Sequence, residues 1–240
     1  MIAKTLLIIP LIAILLLFFC CTKEIPPVTT EVVVMEDFTD SLVSRPTIER
    51  IQQVYGFDKN IYNGARFRYL YITELDINLV FEIFIELADK SETNRFKRQS
   101  KVDQFIAEID SFLVKRREDS VGRDSSAIYR NVAKEANRLS QSTSETRVLM
   151  SYSDMMENTN EISFYNQQDI DSLKRSPLSI EKVFEEQVSL RNLQGIEIHI
   201  IFQPTTPKQN RLFNVVSEFY GDLFVETNAN IYINENKITK

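Results

Sequence analysis

Apolar residues fall along this chain in two rhythms. VVVM (32–35) is a continuous apolar run, the pattern of a strand buried on both faces. In RFRYLYI (66–72) arginines alternate with aromatic residues, which favours strand, and NLVFEIFIEL (78–87) is rich in the same residue types. The polar break at Glu74 to Asn78 suggests two strands, roughly 66–73 and 79–86, paired as a hairpin. Glu74, Asp76 and Asn78 then read as its turn. IEIHIIF (196–202) and NIYIN (230–234) read as further strands, and RVLMSYSD (147–154) as one that ends in an aspartate.

Between these runs the period changes to that of a helix. Ile48, Ile51 and Val54 form one stripe, with Pro46 before it and Gly56 placed to end it. Val102, Phe105, Ile106, Ile109, Phe112 and Leu113 form a longer stripe in a helix starting near Asn94. Lys115-Arg116-Arg117 marks its solvated end. Ile128, Val132, Ala136 and Leu139 share a face, with Asp124 or Ser125 as the N-cap. MMENTNEISFYNQQ reads as a polar loop. Shorter stripes begin near Ser179 and at Leu212. Met155 and Met156 fit either core filling or an exposed contact. Alternation of strands and helices implies an α/β fold with a mostly parallel central sheet, covered by helices on both faces.

The first residues follow neither rhythm. The chain opens MIAKTLLIIPLIAILLLFFCC, one lysine followed by an almost unbroken apolar run. The stretch from Leu6 to Cys21 is shorter than the roughly 20 residues that span a bilayer, and Pro10 interrupts it. Cysteine directly after the apolar region, then Thr22-Lys23-Glu24, resembles a bacterial lipoprotein signal with Cys20 or Cys21 as the lipidated residue. An uncleaved membrane anchor and a buried core helix are the alternatives. The expected organisation is a signal or anchor over 1–21, a proline-containing tether over 22–30 and one domain over 31–240. At about 3.1 Å per residue, the tether reaches roughly 30 Å. This implies a place in the bacterial cell envelope, outside the cytoplasm and close to a membrane.

Composition narrows the chemistry. The 240 residues carry a net charge of -6, which argues against nucleic acid as a partner. Only 5 glycines are present, and no phosphate-binding glycine loop is found. Both cysteines lie at the N-terminus, so the body has no disulfide framework and no thiolate metal site. His199 is the sole histidine and sits between Ile198 and Ile200, as a structural residue would.

Asp37-Phe38-Thr39-Asp40-Ser41 follows the first strand. This D-x-T-x-S pattern resembles the metal-ion-dependent adhesion site (MIDAS) of von Willebrand factor A (VWA) domains, whose usual form is D-x-S-x-S. In that family a second loop supplies a threonine before a helix; SAIYRNV puts Ser126 there, with Ser125 as the alternative. A third loop supplies an aspartate after the next parallel strand, here Asp154. The resemblance spans about 30–234. It implies a three-layer Rossmann-like sandwich with one antiparallel edge strand and a cation held by Asp37, Thr39, Ser41, Ser126 and Asp154. That cation would be Mg²⁺, with Mn²⁺ or Ca²⁺ as alternatives. Hydroxyl and carboxylate oxygens suit such hard cations, and few charged ligands leave the metal able to accept a partner's carboxylate. This is binding chemistry: an acidic side chain of a protein ligand, and no catalysis. The alternatives are a metal-dependent hydrolase using Asp37, Asp154 and Glu157, or a metal-free scaffold.

Overall fold

The computed structural model describes residues 26–37, 44–73, 78–89, 94–116 and 125–234. Its strands are β1 (Thr29–Asp37), β2 (Gly64–Ile72), β3 (Asn78–Ile85), β4 (Thr146–Tyr152), β5 (Ile196–Ile201) and β6 (Asn230–Ile233). Its helices are α1 (Ile48–Tyr55), α2 (Arg95–Arg116), α3 (Ile128–Leu139), α4 (Gln167–Arg175), α5 (Pro177–Gln187) and α6 (Pro207–Val225). The strands form one sheet in the order β3-β2-β1-β4-β5-β6. Only β3 runs antiparallel to its neighbour, so the sheet is mostly parallel with one antiparallel edge strand.

The apolar run at residues 32–35 is explained by β1's position between β2 and β4. Val33 and Met35 pack with residues of α3 to α6, whereas Val32 and Val34 pack with residues of α1 and α2. Successive side chains of a strand point to opposite faces, so each sheet face carries its own hydrophobic cluster. The strand is longer than its apolar run suggests. Glu36 and Asp37 belong to it and are not part of a turn.

Local chemistry sets several element ends. Gly56 ends α1 in the left-handed conformation, with φ of 61°. The Asn63 side-chain amide donates to the carbonyls of Tyr55 and Gly56, which the end of the helix leaves without intrahelical partners. Helix α4 starts on the last two residues of the stretch read as a polar loop and continues where the pattern suggested no element. Only Ile170 and Leu173 of its nine residues are buried, too few for a visible stripe. The Asn166 side chain accepts from Gln168 N and starts the helix.

Two buried polar devices tie helices to the sheet. Arg98 of α2 is fully buried; it donates through Nε to Ile61 O and through Nη2 to the carbonyls of Asn63 and Glu86. It thereby fastens α2 to the segments before β2 and after β3. On the other face, Glu135 of α3 is paired with Arg68 at 3.1 Å and Arg138 at 2.6 Å, and Arg138 reaches Glu31 of β1 at 2.7 Å. A buried carboxylate needs such partners, because removing one leaves an uncompensated charge. Arg116, expected at a solvated helix end, instead lies with its guanidinium 4.2 Å from the Tyr71 ring centroid.

Replacing Arg98 with methionine leaves several buried carbonyls without a donor. Urea unfolding of Arg98→Met is expected to show a loss of about 3 kcal/mol. A loss well under about 1 kcal/mol would show that the clamp contributes little.

Candidate functional site

The sheet order reverses at β1: the chain leaves it to build β2 and β3 on one side, then crosses to build β4, β5 and β6 on the other. In open parallel sheets, ligands bind beyond the carboxyl ends of the strands at such a reversal. Two of the expected site residues stand there. Asp37 is the last residue of β1, and Asp154 lies two residues past the end of β4. The strands are direct neighbours, with Glu36 in register with Tyr152. Asp37 is 3% exposed and Asp154 9%.

Short polar links hold these carboxylates. Ser153 Oγ donates to Asp37 Oδ2 at 3.2 Å and accepts from Met155 N at 2.9 Å. Asp154 Oδ1 accepts from Met156 N at 2.8 Å, and its Oδ2 faces the Tyr165 hydroxyl at 3.4 Å. Met155 turns the chain with φ of 61°, a left-handed conformation that costs a non-glycine residue energy. Its buried side chain packs in the core with Sδ 3.6 Å from Ser151 Oγ, so burial offsets the strain. Both Met155 and Met156 are core residues, which settles the choice left open by their positions.

Ser126 is brought to the same end of the molecule by backbone pairing. Its N and O bond to Asn158 O and N at 3.1 and 3.0 Å, joining the segment before α3 to the loop after β4. Ala127 N and the Asn131 side chain both donate to Thr73 O, just past β2. Thr39 and Ser41 of the D-x-T-x-S pattern lie outside the described residues, as do Asp124, Glu74, Asp76, Arg117, Cys20 and Cys21.

The N-cap of α3 differs from the expectation. Ala127 occupies it and has no capping side chain to offer. Glu157, remote in sequence, supplies the acceptor. Its Oε2 takes Tyr129 N at 2.8 Å and the Tyr220 hydroxyl at 3.3 Å. Glu157 is 0% exposed, and its Oε1 has no hydrogen-bond partner among the described residues. Burial pushes this carboxyl up to about 8 and the nearby Asp37 adds to the rise, while the Tyr129 amide and the Tyr220 hydroxyl oppose it. No local spacing could have announced this cap, because helix and acceptor are 28 residues apart.

The side chains that end β1 and follow β4 at the reversal, Asp37 and Asp154, are oxygen donors. Such donors suit Mg²⁺ or Mn²⁺. Among the described residues, no group of three or more His, Cys, Asp or Glu side chains is placed to hold a metal ion. Neutral hydroxyl oxygens would have to complete the coordination. His199 lies away from this chemistry, buried on β5 with its ring stacked on Tyr232 at 4.7 Å. No helix among the described residues is long and apolar enough to cross a membrane. No protein-family model matches the chain, and no curated protein matches its sequence.

The raised Glu157 carboxyl gives a pH test. Its native form holds a proton that the unfolded chain loses above about pH 4.5. Its contribution to stability is therefore complete at low pH and is lost as pH rises toward about 8. The slope approaches at most about 1.4 kcal/mol per pH unit. Glu157→Gln keeps the acceptor for Tyr129 N and should flatten the fall in stability between pH 5 and 8. Parallel wild-type and variant profiles would refute the assignment.

Proposed function

We propose that this chain is a membrane-tethered, extracytoplasmic binding module with a VWA-type, three-layer α/β fold, engaging a protein partner through a Mg²⁺-dependent site. One observation carries the reading. Asp37 and Asp154 stand at the ends of adjacent strands where the sheet order reverses, linked through Ser153, and the Ser126 segment is paired to the same loop. The single antiparallel edge strand supports the fold assignment.

In this reading Asp37 and Asp154 hold the cation directly or through water, with the hydroxyls of Thr39, Ser41 and Ser126 as neutral ligands. When bound, the cation supplies an open position for a carboxylate oxygen of the partner. The chain's own residues do the positioning. Ser153 orients the Asp37 carboxylate, Met156 N fixes that of Asp154, and the Ser126–Asn158 pairing keeps two loops in step. Cys20 or Cys21 would carry the lipid, and the tether of residues 22–30 would keep the domain within roughly 30 Å of the membrane.

Thermal unfolding in increasing Mg²⁺ or Mn²⁺ tests the reading. Ligand at about 100 times its Kd adds about 2.7 kcal/mol, a rise in Tm of roughly 5 to 10 °C for a chain of this size. Asp37→Ala and Asp154→Asn should each abolish the rise. A wild-type Tm that ignores both cations would contradict the metal site.

A further inference from the structure

Helix α2 buries one stripe, Arg98, Val102, Phe105, Ile109 and Leu113. Phe96 precedes Arg98 by two positions, about 200° around the helix, and so points to the other side. It is 89% exposed, more than any other large apolar side chain among the described residues. Arg95 and Lys97 flank it, both exposed and neither in an ion pair with a described residue. Single exposed apolar residues are ordinary. What distinguishes Phe96 is its place in the fold.

It stands at the end of the domain where the chain enters. Val28 N donates to Asn63 Oδ1 at 3.1 Å, and the backbone carbonyl of the same asparagine accepts from Arg98 Nη2. One residue thus ties the entry of β1 to the first turn of α2. Thr29 pairs with Gly64, Ala88 N bonds Tyr62 O at 3.1 Å, and Arg98 also holds the Glu86 carbonyl. The starts of β1, β2 and α2 and the exit of β3 therefore share this end. Helical side chains tilt toward the helix N-terminus, so Arg95, Phe96 and Lys97 lean outward past it. Asp37 lies at the opposite end of β1, roughly 26 Å away at about 3.3 Å per residue. Only residues 22–28 separate Cys21 from β1, a reach of about 22 Å.

We propose that the first turn of α2 rests on the membrane that holds the N-terminal anchor, with the Phe96 ring among the lipid headgroups and Arg95 and Lys97 on their phosphates. The inference rests on the anchor assigned to residues 1–21. An aromatic ring between two cations is a composition that suits the bilayer interface. Overall charge does not drive the contact. Lys59, Arg95, Lys97 and Lys101 stand near this end, and Asp58, Glu86, Asp89 and Glu145 offset them. The ring supplies the hold, and the two cations beside it favour anionic lipid locally. A short tether and a second fixed contact together set the orientation of the domain. The crevice at the ends of β1 and β4 then faces away from the membrane, toward a partner.

The chain contains no tryptophan, so one can serve as a reporter. The full chain is reconstituted into vesicles of phosphatidylcholine and phosphatidylglycerol, with and without brominated acyl chains, as Phe96→Trp and as Val114→Trp. Val114 is 54% exposed on the same helix, roughly 27 Å further along. Emission of Phe96→Trp should lie to the blue of Val114→Trp and lose about half its intensity or more to bromine, while Val114→Trp stays unquenched. Adding Arg95→Glu and Lys97→Glu to Phe96→Trp should cut that quenching about twofold or more. Equal quenching of the two reporters, no quenching of either in vesicles that carry the chain, or quenching indifferent to the two glutamates would overturn the proposal. Vesicles that float free of the chain would overturn the anchor as well.

Discussion

Strand β1 is buried along both faces and paired on both edges, and the molecule is organised around that constraint. Every polar group on it must find a partner inside the protein. Glu31 is met by Arg138 and Ser142, Glu36 by Tyr69 and Arg45, and Asp37 by Ser153. These partners come from β2, α3, β4's exit loop and the segments beside them. The acids of β1 thus position several other elements, and the last of them ends the strand where the sheet order reverses.

Helix α3 shows how the same economy joins loops. Its N-terminus leaves backbone amides for which an acceptor is stabilising. Glu157 provides that acceptor from the loop carrying Asp154. The Ser126–Asn158 pairing fastens the two loops a second time. A change at Asp154 is therefore mechanically linked to Ser126 through two short connections. The energetic balance is tight, since Glu157 is a buried acid beside another acid, and Met155 holds a left-handed turn by burying its side chain.

Much of the sheet could be read from local pattern because β1, β2 and β5 carry their burial in their own residues. The run Val32–Met35 and the stripe from Val102 to Leu113 are examples. Gly56 was readable as a helix end because only its φ was needed. Asp37 and Asp154 were readable as strand-end acids, and their adjacency followed from a parallel alternation. What escaped has one physical character: it depends on partners distant in sequence. Arg98 finds carbonyls on two other segments, Glu157 caps a helix 28 residues away, and α4 rests on two buried side chains too sparse to show a period. Ser126 was placed by its position before a helix, but its pairing with Asn158 has no local signature.

The central claim is that the crevice between the ends of β1 and β4 holds a divalent cation. Anomalous diffraction from crystals grown in Mn²⁺ addresses it most directly. The expected result is one strong peak among Asp37, Ser126 and Asp154, lost in crystals of Asp37→Ala. Crystals of the wild-type protein with no peak in that crevice would contradict it.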